Sequence, residues 1–154
     1  MALKSGLDLR HTLMLQGLTF PVTMKTEGRD QFLHAHPELV RMIRDLPDEV
    51  HAVILFGSQA TGRATPISDT DICFVTAHRP GPDIQRKLLS FGSKTVQVSL
   101  FSDLPPSVRF RVFRDGILLF CRDPLTLHRA RGAAVRGYLN VRPLIDRHIA
   151  RTFG

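Results

Sequence analysis

The chain has 154 residues, 43% hydrophobic and 23% charged, enough for one hydrophobic core and ordinary for a soluble globular domain. No apolar run approaches the length of a membrane span, and the formal net charge of +7 directs attention to acidic partners or nucleic acid. Cys73 and Cys121 fall in strand-like runs without metal-ligand spacing, so they read as buried reduced thiols, which suits the cytoplasm.

Residues 1–24 show no clear period; Asp8, Arg10, Gln16 and Gly17 break up the apolar Leu13–Leu15, and no signal peptide is expected. This stretch reads as a flexible N-terminal extension, and 25–154 as the domain. His34 and His36 have the spacing of a metal pair, but no third ligand is near and they read as surface residues. Pro37 suits the first turn of a helix whose apolar face is Leu39, Val40, Ile43 and Leu46. Val50–Phe56 is a strand apolar on both faces, ended by Gly57, after which Ser58–Thr61 starts a short helix. Residues 63–68 form a loop containing Pro66, and Asp69–Val75 is the second strand. A turn-rich link from His78 to Pro82 leads to a helix over Asp83–Phe91, broken by Gly92-Ser93. Thr95–Phe101 alternates, with Val96, Val98 and Leu100 on one face and Gln97 and Ser99 on the other. Pro105-Pro106 opens a helix for which Gly116 suits the C′ position, and Ile117–Cys121 is a fourth strand. Asp123 is the N-cap of a last helix that runs past Tyr138 and bends or breaks near Pro143. Strands and helices alternating over one domain predict an α/β or α+β fold with a mixed sheet flanked by helices.

Between the first two strands lies the pattern Gly57-Ser58, Gly62 and Ser68-Asp69-Thr70-Asp71. Residues i and i+2 of a strand share a face, so Asp69 and Asp71 project side by side. Adjacent carboxylates repel, and a hard divalent cation, Mg²⁺ or Mn²⁺, is the usual reason to tolerate them. Gly57 lets the backbone approach a phosphate closely, while the Ser58 hydroxyl and nearby N–H groups favour phosphate oxygens. Gly57, Ser58, Arg63 and Ser68 are therefore the candidate nucleotide-binding residues, although Arg63 also reads as a solvated loop cation and Ser68 as a turn residue. Neither a P-loop motif nor a G-x-G-x-x-G fingerprint is present.

Residues Gly57, Ser58, Gly62, Arg63, Asp69 and Asp71 make the chain resemble the nucleotidyltransferase superfamily that includes DNA polymerase beta, and within it the minimal nucleotidyltransferases, or MNT proteins. The resemblance spans roughly residues 37–147, and Tyr138-Leu139-Asn140-Val141-Arg142-Pro143-Leu144 is similar to the closing helix of that family. It implies a polymerase-beta-like fold, metal binding by Asp69 and Asp71, and ATP as substrate. It further implies transfer of AMP to a hydroxyl, often a tyrosine on a HEPN-type toxin for which the MNT protein is the antitoxin; other relatives modify small molecules. The superfamily usually has a third carboxylate on a neighbouring strand, and Gln97 stands at that position here. An amide can ligate a metal through oxygen but cannot act as a base. Asp103 is the nearest acid, beyond the strand. The alternative is thus a catalytically weakened, nucleotide-binding antitoxin that acts by protein contact.

Residues 1–108 carry balanced charge, whereas 109–154 carry ten Arg against Asp115, Asp123 and Asp146. Arginine favours bidentate pairing with carboxylates and phosphates. This final third reads either as a surface for an acidic protein or nucleic acid, or as a solvated helix face.

Overall fold

A computed structural model describes residues 24–153. The expected extension, residues 1–24, lies outside the described residues except for Met24, which is buried in the core; the next residue, Lys25, accepts at its carbonyl from the Leu118 N–H at 3.0 Å.

The described elements, in chain order, are α1 (Arg29–Ala35), α2 (Pro37–Arg44), β1 (Val50–Phe56), α3 (Ser58–Thr61), β2 (Thr70–Thr76) and α4 (Pro82–Ser90). They continue with β3 (Val96–Leu100), a 3₁₀ turn (Phe101–Asp103), α5 (Pro106–Asp115), β4 (Ile117–Cys121) and α6 (Pro124–Phe153). The four strands form one mixed sheet in the order β3-β2-β1-β4. Strand β1 is antiparallel to both β2 and β4, while β2 and β3 run parallel. The mixed sheet flanked by helices expected from the alternating pattern is the observed architecture.

The core has two parts because β1 and β2 are covered on both faces. Val53, Leu55, Ile72 and Phe74 pack with Leu39, Met42 and Ile43 of α2 and Leu88 of α4. Ala52, Ile54, Cys73 and Val75 pack on the other face with Val112 and Phe113 of α5 and Leu127 and Ala134 of α6. This explains why β1 lacks apolar–polar alternation: both of its faces are core. Cys73 is fully buried and Cys121 half-buried, both free thiols. Burial raises the pKa of each, that of Cys121 to about 11.

Four local readings of the sequence need correction. Helix α1 was not foreseen; it starts after Gly28, whose φ of 79° is left-handed, and buries Leu33. Of the two histidines read as surface residues, His34 is exposed but His36 is half-buried, stacked 4.1 Å from the Phe32 ring with Nδ1 2.8 Å from the Phe32 carbonyl oxygen. Gly116 follows α5 as expected but in extended geometry, φ −71°, not left-handed. Glycine is favoured there by crowding, since a Cβ would collide with the Val112 carbonyl oxygen and lie 2.7 Å from Ile54 Cγ2. Finally, of the bend or break expected near Pro143, the break is absent: α6 continues through it for 30 residues. Proline removes one helix donor and crowds the preceding turn. The helix is exposed around this position, so water can hydrate the freed carbonyl. The Asp123 cap is present: Oδ1 accepts from the Leu125 N–H at 3.1 Å and Oδ2 from the Thr126 hydroxyl at 2.7 Å.

Among the described residues, no helix is long and apolar enough to cross a membrane.

Candidate active site

The site is organised by the ends of β1 and β2. The β1–β2 ladder finishes with Phe56 opposite Asp71, so the residue after Phe56 is delivered to the Asp71 side chain. That residue is Gly57, with φ 73° and ψ −155°. A Cβ built on Gly57 would collide with Asp71 Oδ2 and lie 3.2 Å from Asp71 Cγ. Glycine is therefore required twice, by its backbone angles and by the carboxylate against it. The chain then turns through α3, and Gly62 at its end has φ 73°. The Arg63 N–H returns to the Ser58 carbonyl at 3.0 Å. The turn expected to receive phosphate is thus a closed loop whose first residue touches the carboxylate of β2.

Strand β2 starts at Thr70, one residue later than the sequence suggested, and Asp69 stands just before it. The ladder nevertheless extends to this end of the strand, because the Thr70 N–H donates to the Thr95 carbonyl at 2.8 Å. Asp69 is exposed and Asp71 half-buried. The Asp71 carboxyl is held above its usual pKa, first by burial and second by the Asp69 charge. Two carboxylates close enough to raise the pKa of one fit a hard divalent cation, which would stabilise the ionised pair.

Gln97 lies on β3 directly opposite Asp71 in the parallel register. Partners in register share a face, and neighbouring strands are about 4.8 Å apart. Its exposed side chain lines an open cavity of about 570 Å³ together with Asp69, Gly92, Ser93 and Val96. Its amide oxygen is available as a third, neutral donor on the side of the carboxylates.

Asp103 is elsewhere. It follows the far end of β3, six positions past Gln97, and pairs with Arg79 at 3.0 Å. Strands rise about 3.3 Å per residue, which places that ion pair at the opposite end of the sheet. Among the described residues, no cluster of three or more His, Cys, Asp or Glu could hold a metal.

The remaining candidates separate. Ser58 is half-buried at the first position of α3. Ser68 is occupied within its loop, its hydroxyl accepting from the Thr65 N–H at 2.8 Å. Arg63 is exposed, and its charge is among those that lower the pKa of Asp115 at the end of α5, after the larger effect of Arg114. Sequence reasoning missed Lys25, whose Nζ is 3.5 Å from the Ala60 carbonyl and so brings a cation to the α3 turn. No local signal marks Lys25, because its partner is 35 positions away.

No match was found among curated proteins. Among solved structures, a chain of a toxin–antitoxin crystal structure with AMP-PNP superposes with a TM-score of 0.60 at 17% identity, over 77% of this chain and 98% of that one. A chain from the tri-AMPylated Shewanella oneidensis HEPN toxin in complex with MNT antitoxin gives a TM-score of 0.56 at 16% identity, over 77% of this chain and 95% of that one. At these identities the likeness is one of fold. The sequence itself supplies the family: residues 38–125, more than half of the chain, match Polymerase beta, Nucleotidyltransferase, and that span holds the Gly57 turn, both carboxylates and the Gln97 strand. The chain belongs to the polymerase beta nucleotidyltransferase family.

Proposed function

We propose that this chain is an MNT-type antitoxin that binds ATP with Mg²⁺ or Mn²⁺ and transfers AMP slowly to a hydroxyl on a HEPN-type toxin. The observation that carries the reading is the packing of the Asp71 carboxylate against Gly57, with Asp69 close enough to raise its pKa. Asp69 and Asp71 are the residues that would hold the cation, and the cation would neutralise phosphate charge when bound. Gly57 and Ser58 would receive phosphate oxygens, and Lys25 and Arg63 add positive charge beside the turn. The two solved toxin–antitoxin structures support the partner class, one with AMP-PNP and the other with an AMPylated toxin. The two free thiols suit a reducing compartment such as the cytoplasm.

Transfer forms a bond from the acceptor oxygen to the α-phosphorus as the bond to the bridging oxygen breaks and pyrophosphate leaves. The acceptor hydroxyl must lose a proton. Gln97 faces Asp71 and cannot take it, and Asp103 is engaged with Arg79 at the far end of the sheet. This favours slow turnover, and it supports a second reading in which the protein binds nucleotide and neutralises its partner by contact alone.

Incorporation of labelled AMP into the toxin, compared between wild type and Gln97→Asp, tests the proposal. A positioned base is typically worth about 10²–10⁴ in rate, so a large gain in the variant is expected over a slow wild type. No incorporation by either form, with ATP binding intact, would remove the transferase reading and leave the contact reading. Fast wild-type transfer lost on Asp103→Asn would overturn the role given to Gln97.

A further inference from the structure

We infer that the terminal half of α6, from residue 139 onward, is a docking surface for an acidic, helical protein partner; the inference rests on the partner reading above. The first half of α6 is an ordinary amphipathic core helix. Leu127 and Ala134 are buried, and Tyr138 stacks on Phe110 of α5 with ring centroids 4.1 Å apart. At 100° per residue, the line through Leu127, Ala134 and Tyr138 continues through Val141, Ile145 and Ile149. The apolar stripe therefore runs on, although the core that it packed against has ended. Ile145 is 39% exposed, Ile149 49% and the adjoining Leu144 59%. Among the described residues, most of the exposed large hydrophobics lie in this half-helix. Residues 139–152 span about 21 Å, a matching surface for roughly four turns of a partner helix.

Charge indicates what kind of partner fits. Arg142 borders the stripe on one side and Arg151 lies farther round on the other, while Asp146 is the one acid of residues 139–152 and sits 3.8 Å from Arg142. A second copy of this helix would bring arginines against arginines. A helix with an aliphatic stripe bordered by Asp and Glu would pair its charges with them. The stripe is about one residue wide per turn, the form of a helix–helix seam; a helix lying on a membrane has a broader apolar face.

The test titrates the full chain with the HEPN-type toxin at low and high salt, using wild type, an Ile145→Asp/Ile149→Asp pair and an Arg142→Glu/Arg151→Glu pair. The positions are solvent-facing, so helix content and ATP–Mg²⁺ binding should match wild type. Each pair is expected to raise Kd by at least about tenfold, the loss typical of an interface anchor, and high salt should weaken wild-type binding. Wild-type binding that both pairs leave unchanged would overturn the surface while keeping the partner. Absence of wild-type binding would overturn the partner reading and this inference with it. Self-association, RNA binding or binding to anionic vesicles that the same pairs abolish, with toxin binding intact, would assign the surface to another occupant and overturn the inference.

Discussion

The Asp71 carboxylate occupies the space that a Cβ on Gly57 would fill. The phosphate-turn candidate and the metal-ligand candidate are therefore one packed unit, joined where Phe56 pairs with Asp71.

Gly57→Ala should damage the site in a way that Gly62→Ala does not. Both glycines have φ 73°, but a Cβ on Gly62 meets nothing within 4 Å. Each substitution should cost about 1 kcal/mol or more from backbone strain. Gly57→Ala alone should also displace the Asp71 side chain. Chemical denaturation and ATP–Mg²⁺ titration of the two variants should show the larger destabilisation in Gly57→Ala, whose ψ of −155° and contact with Asp71 exclude a side chain, with nucleotide affinity lost there and kept in Gly62→Ala.

Asp71→Asn should stabilise the ligand-free protein. Burial and the Asp69 charge raise the Asp71 pKa in the folded state, so the fold binds this proton more tightly than the unfolded chain does. Stability contributed by the protonated acid is lost as pH rises from the ordinary carboxylate value through the raised one. At neutral pH the ionised group is a net liability, moderated by its partial exposure. The variant should melt slightly above wild type at pH 7, with the difference vanishing in acid where wild-type Asp71 is protonated. Thermal melts across pH check this; an unchanged difference at acid pH would contradict it.

Local patterns made most of the fold legible. The apolar run Val50–Phe56 and the alternation of Val96, Val98 and Leu100 mark strands because each pattern lies within a few consecutive residues. The spacing of Gly57, Asp69 and Asp71 pointed to the candidate site in the same local way. The contact between Gly57 and Asp71 was not legible, since it depends on the register of two strands. Lys25 was hidden likewise by its long-range partner, and α1 by having Leu33 as its one buried residue. Pro143 misled because its helix-breaking tendency was read without knowing that the segment is exposed. Gln97 was legible as a missing acid from the resemblance, and the register opposite Asp71 supplied its location.

Gly116→Ala separates crowding from left-handed geometry as the reason for that glycine. With φ −71° alanine is conformationally acceptable, but its Cβ would meet the Val112 carbonyl oxygen, Ile54 Cγ2 and the Leu55 carbonyl oxygen. Two of these atoms are backbone and cannot rotate away. A loss of about 1–3 kcal/mol is expected from denaturant titration, as for other overpacked cores. A neutral or stabilising effect would show that β1 and α5 can part to admit the methyl.

The most direct test of the central claim is calorimetric titration of ATP, with and without Mg²⁺, into wild type and an Asp69→Asn/Asp71→Asn pair. If Asp69 and Asp71 hold the cation that carries the nucleotide, wild type should bind ATP in a Mg²⁺-dependent way and the pair should lose that dependence with most of the affinity. Equal ATP affinity in the two proteins, or wild-type binding indifferent to Mg²⁺, would contradict the account.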